Sequence, residues 1–449
     1  MRLFRYVLSK LFVAGLSVIP LHGANSLSYY GVTLNFEGEH SIGKWANGEP
    51  YIVAPSGVSI TSIENPSVPP TATRKGGAMI NPVPMGKQGY CSNYQGPYEK
   101  AGYDATLDVS LKYPFKLVAG DSLIVSKAID DWDGVGNNYV ESVVGFIVVA
   151  EAPPEGSFRP GLYGKDHRVR FNVTDIDWSV LKNLKSVPLA PTQAWIEADA
   201  RLPALPWWEW GEEWSATFIR PFANCGAGDG GRFRSNYGRD IAFKWGYVAL
   251  WLNLSHTREV KMKTMIQTIQ CGIDLGSYFD NGGLIRASGG HQIGFKFPVL
   301  LASAALGFTR APDLVAYAAD DTRFIEDITT FYVQQSDVGR VVNLMPDGAY
   351  IQEDVGKADW GVMHRFGPEK DDRRWEGITT YRTIQWPAMV GTVLAADLMG
   401  LRSQWNHPAT FDYTERFVKR NGLGGFEKNM WNTHKEKILS SPTGLRTKR

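Results

Sequence analysis

The stretch Ile241-Ala-Phe-Lys-Trp245-Gly-Tyr-Val248-Ala-Leu-Trp-Leu252 decides the fold of this chain, because the apolar pattern changes there. Its apolar positions 241, 245, 248 and 252 recur every three or four residues, the spacing of one face of an α-helix. The same spacing returns in the segments 262–273, 297–305, 324–332, 379–399 and 411–418. The C-terminal half is therefore predicted to be helical, and Pro387 is predicted to start or kink the last long helix.

The chain before this stretch has the period of a sheet. Residues 31–36 and 103–111 alternate apolar and polar positions, and the dense apolar run 140–150 predicts a strand buried on both faces. Residues 151–214 are rich in proline and tryptophan, which predicts a linker. The predicted fold is multidomain α+β: an antiparallel β-sandwich over 25–150, this linker, and an α/α helical toroid or part-toroid over 215–449. Strands and helices do not alternate, which argues against Rossmann and TIM-barrel folds.

The N-terminus has the features of an export signal. Basic residues between positions 2 and 10 precede an apolar run over 11–21, and the small residues Gly23 and Ala24 follow it. That run is shorter than the roughly 20 residues that a membrane-spanning helix needs, so no stable membrane span is expected. We expect residues 1–24 to be a signal peptide and the mature protein, beginning near Asn25, to be secreted or periplasmic.

Composition excludes some classes of function. The chain has 47 Lys and Arg against 46 Asp and Glu, and this absence of a basic excess argues against a nucleic-acid partner. Its 15 Trp, 19 Tyr and 21 Phe favour an extracellular protein with stacking surfaces. The cysteines Cys91, Cys225 and Cys271 allow at most one disulfide and have no metal-finger spacing. Neither a metal nor a cofactor is predicted.

One segment connects this organisation to a known group of enzymes. Asn281-Gly-Gly-Leu-Ile-Arg-Ala-Ser-Gly-Gly-His291-Gln-Ile-Gly-Phe-Lys296 is a loop with glycines and a histidine that opens a helix. With the exported β domain, the aromatic linker and the helical array, it resembles the active-site loop of helical-toroid polysaccharide lyases and glycoside hydrolases. The Asn-His-x-Tyr phrase of some alginate lyases is absent. The resemblance implies an enzyme that degrades an acidic polysaccharide or oligosaccharide.

A glycine-rich loop over residues 226–231 precedes a predicted helix start at Tyr237. Glycines let several backbone N–H groups point at one anion, and a helix N-terminus adds partial positive charge. The neighbouring Arg232, Arg234 and Arg239 favour an anion at this loop, while a flexible interdomain loop is the alternative. Asp240 falls in the first helical turn, where the helix dipole favours a carboxylate.

His291 follows two glycines and precedes an apolar helix. A helix N-terminus lowers the pKa of a histidine, which favours the neutral form that accepts a proton. The alternative is a histidine that caps the helix or packs against it. Lys296 lies little more than one turn further along, so the two side chains are predicted to share a face.

The segment 346–365 is rich in residue types that serve catalysis, and it is predicted to be a loop. Glu353 or Asp354 is a candidate general acid or base, and Trp360 is a candidate plane for stacking on a sugar ring. A solvated loop that only spaces two helices is the alternative. The same character continues in Tyr350, His364, Arg365 and Trp375.

Elimination at a uronate needs a cation near the carboxylate, a base for the C5 proton and an acid for the leaving oxygen. Arg239 or Arg232 is suited to the first role, and His291 and Tyr237 to proton transfer. β-Elimination by a polysaccharide lyase is therefore the leading prediction. The predicted catalytic residues are His291, Tyr237, Arg239, Asp240, Glu353 and His364. The predicted substrate-binding residues are Arg232, Arg234, Lys296, Tyr350, Trp360, Arg365 and Trp375.

Two other functions remain open at this point. A glycoside hydrolase on the same scaffold would need two carboxyl groups about 5 to 10 Å apart, for which Asp240, Glu353 and Asp354 are available. A non-catalytic glycan-binding or envelope protein would use the β domain and the many aromatic side chains instead. For either enzyme, we expect the 226–240 loop, His291 and the 350–365 segment to meet in one cleft.

Overall fold

The computed structural model describes residues 23–64, 76–84, 86–87, 89, 104–128, 140–200, 238–285, 293–339, 349–361 and 385–435. These residues form a mixed α+β structure, with a sheet before residue 150 and helices after residue 190. The strands of the sheet are β1 Gly23–Tyr29, β2 Val32–Lys44, β3 Pro50–Val53, β4 Val58–Glu64, β5 Ala78–Ile80, β6 Phe115–Leu117, β7 Ser122–Ala128 and β8 Val140–Val149. The predicted signal peptide lies outside the described residues except for Gly23 and Ala24, which pair with β2.

The eight strands belong to one sheet with the order β5-β7-β8-β3-β2-β4-β6, and β1 also pairs with β2. All pairings are antiparallel except β3 with β8, where Tyr51 lies opposite Ile147. The described strands therefore form one strongly curled sheet instead of the two facing sheets of the predicted sandwich. The predicted strand at 103–111 is also wrong: Val109–Leu111 is a 3-10 turn, because the Asp108 side chain accepts the Ser110 N–H and caps it.

Two hydrophobic cores lie on opposite faces of this sheet. In β7, Leu123 and Val125 contact the core inside the curl, whereas Ile124 contacts a larger core that continues into the helices. The same alternation in β8 separates Phe146 from Ile147, as expected from the period of two in a strand. The prediction that this strand is buried on both faces is confirmed.

Residues 151–200, the described part of the predicted linker, pack tightly between the sheet and the helices. Their anchor is Arg159, a fully buried side chain that contacts two carboxylates. Its guanidinium donates to Glu49 beside the sheet and donates twice to Asp274, at 2.9 and 2.7 Å. Gln270 bonds the backbone N–H and C=O of the same residue, at 3.1 and 2.9 Å. The sheet and the helices therefore share one core.

The described helices are α1 Gln193–Ala200, α2 Gly238–Leu252, α3 Arg258–Asp280, α4 Lys296–Ala305, α5 Pro312–Ala319, α6 Ile325–Ile328, α7 Pro387–Met399, α8 Arg402–Trp405, α9 Pro408–Asn421 and α10 Gly425–Met430. The predicted helices at the deciding stretch and at 411–418 are confirmed, and α7 starts at Pro387 as expected. Over the described residues, none of the helices combines the length and the apolar character needed to cross a bilayer.

The helix predicted for 324–332 is wrong in its second half. The α6 helix has a single turn, and the chain then enters β9 Thr330–Tyr332, which pairs antiparallel with β10 Ala358–Trp360. Thr329 and Thr330 bond their hydroxyls back to the carbonyls of Ile325 and Glu326, and the next residues are aromatic. β-Branched and aromatic residues favour an extended chain, which explains the change.

Two glycines allow the helices α2 and α7 to pack closely against each other. The α2 and α7 helices cross with Gly246 facing Gly391, and a Cβ atom added at Gly391 would lie 2.5 Å from the Cα atom of Gly246. Any larger residue there would push the two backbones apart. A carboxyl group of Glu427, from α10, lies directly above this crossing.

Candidate functional site

The residues just before α4 pack against the N-terminal part of α2. Gly294, two residues before α4, has a φ of +88°, and a Cβ atom added to it would lie 2.7 Å from the Cβ atom of Ala242 in α2. Glycine is required on both counts, because only it adopts this φ without strain and only it leaves room for the neighbouring helix. The residues that follow two of the three predicted site segments in the sequence, Ala242 and Gly294, therefore contact each other.

Glu326 in α6 holds the start of α4 in place. One carboxylate oxygen accepts the backbone N–H groups of Gly294 and Lys296, each at 3.1 Å, while the other has no partner among the described residues. Burial raises the pKa of Glu326 to about 7, since an ionised carboxylate is costly in an apolar interior. The protonated, neutral form of Glu326 is therefore favoured more than that of an exposed glutamate.

The side chain of Lys296, the first residue of α4, is buried against α6 instead of facing a substrate. Its ammonium is fully buried, donates to Asp327 and to the backbone carbonyl of Trp405 at 2.6 Å, and lies 5.0 Å from the centre of the Trp405 ring. Asp327 also accepts the Trp405 indole N–H at 2.7 Å and the Thr410 hydroxyl at 3.1 Å. The predicted substrate contact by Lys296 is therefore corrected: the side chain neutralises a buried carboxylate.

The third predicted segment, residues 346–365, contacts α6 at its C-terminal end, where Thr329 follows the helix. Trp360 in β10 donates its indole N–H to the Thr329 hydroxyl at 2.8 Å, and the Gly361 N–H bonds the Thr329 carbonyl at 2.6 Å. The Trp360 ring is 3% exposed and lies 6.4 Å from that of Trp386. An indole that is packed in this way cannot stack on a sugar ring, so the predicted sugar-stacking role of Trp360 is corrected.

Two further residues of this segment are buried and make contacts within the protein. Tyr350 is buried and packs edge-on against Phe331, which removes it from a substrate surface. Asp354 is buried as well, and its carboxylate accepts the N–H of Ile351 and the ammonium of Lys357. Glu353, between them in sequence, is exposed on a 3-10 turn.

The first turn of α2 contains the remaining predicted site residues that the structure describes. Arg239 is half-buried in the first turn, and Asp240 follows it in the same turn. The other predicted site residues lie outside the described residues: Arg232, Arg234, Tyr237, His291, His364, Arg365 and Trp375. Of these, Tyr237 directly precedes α2 in the sequence, and His291 lies two residues before Ile293.

Sequence reasoning missed Glu326 and Asp327, which bond the start of α4 and the Lys296 side chain. Their local signal is two adjacent acids between apolar neighbours, Phe324, Ile325 and Ile328, at positions that a helical pattern would bury. Buried carboxylates with raised pKa values are candidates for functional sites. Among the described residues, no three His, Cys, Asp or Glu side chains are grouped as metal ligands.

Comparison of the chain with protein-family models, with curated proteins and with solved structures gives no match.

Proposed function

We propose that the protein is an exported polysaccharide lyase that cleaves an acidic polysaccharide by β-elimination, and that its helices form part of an α/α toroid. The observation that carries this proposal is the contact between Gly294 and Ala242, with Glu326 holding the loop that ends at Gly294. The contact lies in α2, which has Arg239 in its first turn, and Gly294 follows His291 by three residues in the sequence. This contact supports the proposal that a cation and a proton-transfer group lie near one end of the helices.

The proposed reaction divides the work among these groups. Arg239 neutralises the uronate carboxylate, which makes the C5 proton more acidic. His291 or Tyr237 removes that proton, the electron pair forms the C4–C5 double bond, and the glycosidic oxygen leaves with a proton from the other group. Glu326 acts as a positioning residue, because its bonds to the start of α4 fix the direction in which the His291 loop enters that helix.

The test uses the full chain with polygalacturonate, alginate, hyaluronan and chondroitin sulfate, and with starch as a neutral polymer. Lyase action on an acidic polymer is expected to produce the ultraviolet absorbance of an unsaturated uronate, while starch gives none. His291→Ala is expected to lower turnover by about 10²-fold or more. Arg239→Lys is expected to raise KM more than it lowers kcat, because lysine keeps the charge and loses the bidentate fork.

A matched control separates catalysis from stability. His40 lies on β2 and contacts the Glu37 carbonyl at 3.3 Å, far in sequence from the start of α4, so His40→Ala is expected to keep full turnover. Absence of new absorbance with every acidic polymer would reject the lyase proposal. Equal activity of His291→Ala and His40→Ala would reject the assignment of His291.

Glycoside hydrolysis is the second candidate, and one observation favours it. Glu353, one of the carboxylates predicted for that reaction, is exposed on a 3-10 turn and is therefore accessible to a substrate. Hydrolysis would release new reducing ends without ultraviolet absorbance, and Glu353→Gln would lower it strongly. Binding of a polysaccharide without any cleavage would favour a glycan-binding protein instead.

A further inference from the structure

A cavity of about 370 Å³ lies between the packed segment 158–171, the end of α3 and the start of α5. This volume falls within the range of sites for small ligands, ~300–1,000 Å³. Phe171, Ile273 and Leu314 contribute apolar surface to its walls, and Arg159 closes it on the side of the shared core. None of the residues that we assign to the active centre lines this cavity.

Oppositely charged side chains alternate around the cavity. Arg168 donates to both oxygens of Asp166, at 2.7 and 2.6 Å, and Arg170 bridges Asp166 and Asp313, at 3.2 and 3.4 Å. Bonds from the Arg168 guanidinium hold the pKa of Asp166 below its ordinary range, so this pair stays charged in mildly acidic solution. These side chains are at least partly exposed, so charged groups of both signs face solvent at the cavity.

Two groups keep unused hydrogen-bonding capacity toward a ligand. Arg310 donates one guanidinium nitrogen to Asp175 at 2.5 Å, and its other two nitrogens have no partner among the described residues. One oxygen of Asp280 accepts the Tyr317 hydroxyl, and its second oxygen is likewise unpartnered among the described residues. A donor fork and a carboxylate acceptor are therefore both available at the cavity.

These features select the chemistry of the ligand. A polyanion is disfavoured, because three aspartates balance three of the four lining arginines, and the fourth, Arg159, is already paired with Glu49 and Asp274. A pyranose ring has hydroxyl groups that both donate and accept on its edge, and apolar C–H groups on its faces. Asp and Arg side chains can hydrogen-bond the hydroxyl groups. The apolar surface of Phe171, Ile273 and Leu314 can pack against the C–H groups.

We propose that this cavity binds a single pyranose unit of a glycan, separately from the proposed active centre. The Asp280 carboxylate accepts ligand hydroxyls, the Arg310 guanidinium donates to ring or hydroxyl oxygens, and the apolar wall packs against one face of the sugar. The site does not rest on the lyase activity. It would hold a glycan on the protein whether or not that glycan is cleaved.

The test titrates the full chain with glucose, mannose, galactose, glucuronate and galacturonate, read by saturation-transfer NMR. At least one of these sugars is expected to bind, with weak dependence on salt because the cavity is balanced in charge. Asp280→Ala and Arg310→Ala are each expected to weaken binding by about 10-fold or more. The matched control is Arg258→Ala, which removes an exposed arginine that lies over Trp178 outside the cavity.

The outcomes separate this inference from the proposed activity. Absence of saturation transfer with all five sugars overturns it, as does binding that Asp280→Ala and Arg310→Ala leave unchanged. Binding retained by His291→Ala and lost in the two cavity variants supports it, even if no polymer is cleaved. Cleavage of an acidic polymer by a protein that binds none of these sugars would support the lyase proposal alone.

Discussion

Replacing Glu427 with Gln is expected to stabilise the protein at alkaline pH and to change it little at pH 4. The Glu427 side chain is 7% exposed above the crossing of α2 and α7, and its Oε1 atom has no hydrogen-bond partner among the described residues. A Cβ atom added at Gly391 would lie 3.2 Å from that oxygen, which therefore packs close to the backbone of α7. Desolvation raises the pKa of Glu427 to about 8. Glutamine has the same shape and never ionises.

The magnitude follows from proton linkage. In the unfolded chain a glutamate ionises at its ordinary pKa of 4.5, whereas the folded protein keeps this proton until about pH 8. Because the folded state binds the proton more tightly, the stability it contributes is complete below pH 4.5 and is lost as the pH rises to about 8. At 1.36 kcal/mol per pH unit, the loss is about 2 kcal/mol at pH 6 and about 5 kcal/mol above pH 8. Because glutamine does not ionise, Glu427→Gln does not lose this folding free energy as the pH rises.

The assay is urea denaturation of the wild type and of Glu427→Gln at pH 4, 6, 8 and 9. The difference between their free energies of unfolding is expected to grow with pH in favour of the variant. Glu37→Gln serves as the control, because Glu37 is exposed on β2 and its replacement should leave the pH profile unchanged. A constant difference between Glu427→Gln and the wild type across this range would show that Glu427 does not ionise abnormally, and the reasoning from its burial would fail.

Two other predictions concern Gly294 and Lys296, at the start of α4. Gly294→Ala should destabilise the protein by about 1–3 kcal/mol through left-handed strain and the clash with Ala242, and by more than Gly307→Ala, which has the same φ but open space. Denaturation midpoints check this, and equal losses in the two variants would contradict the close contact. Lys296→Met should cost about 3–5 kcal/mol by stranding the buried Asp327 carboxylate, and Asp327→Leu added to it should recover part of that loss. Failure of the double variant to recover stability would contradict an unpaired charge as the cause.

Much of the fold was predictable wherever the apolar period was long and uninterrupted. The α2 pattern spans four turns, and Pro387 fixes the start of α7 because proline fits the first turn of a helix and disrupts its interior. The two wrong elements are short, at 103–111 and 324–332. In both, side chains such as Asp108 and Thr330 bond the local backbone and override a pattern of few residues.

The convergence of the 226–240 loop, His291 and the 350–365 segment stays a prediction, because His291 and most of the 226–240 loop lie outside the described residues. The contacts that the described residues make near these segments were not predictable. The sequence contains no sign that Glu326 receives two N–H groups from residues some 30 positions earlier, since that bond exists only after α4 and α6 have packed. Lys296 and Trp360 were assigned to the surface because such residue types commonly serve there. Each is satisfied internally, by Asp327 and by Thr329, and such partners lower the cost of burying a charge or an indole N–H group.

The buried Arg159 imposes an order on assembly during translation. Its two carboxylate partners are Glu49, 110 residues earlier, and Asp274, 115 residues later. At about 5–20 residues per second, a ribosome delivers Asp274 on the order of 10 to 45 s after Glu49. The β3–β8 pairing can form in that interval, and residues 151–200 can cover part of the outer face of the sheet, but the carboxylate that completes the Arg159 pairing arrives only with α3. Until then the guanidinium lacks one of its two counter-charges, so the sheet and the helices cannot close over it without burying an incompletely paired charge.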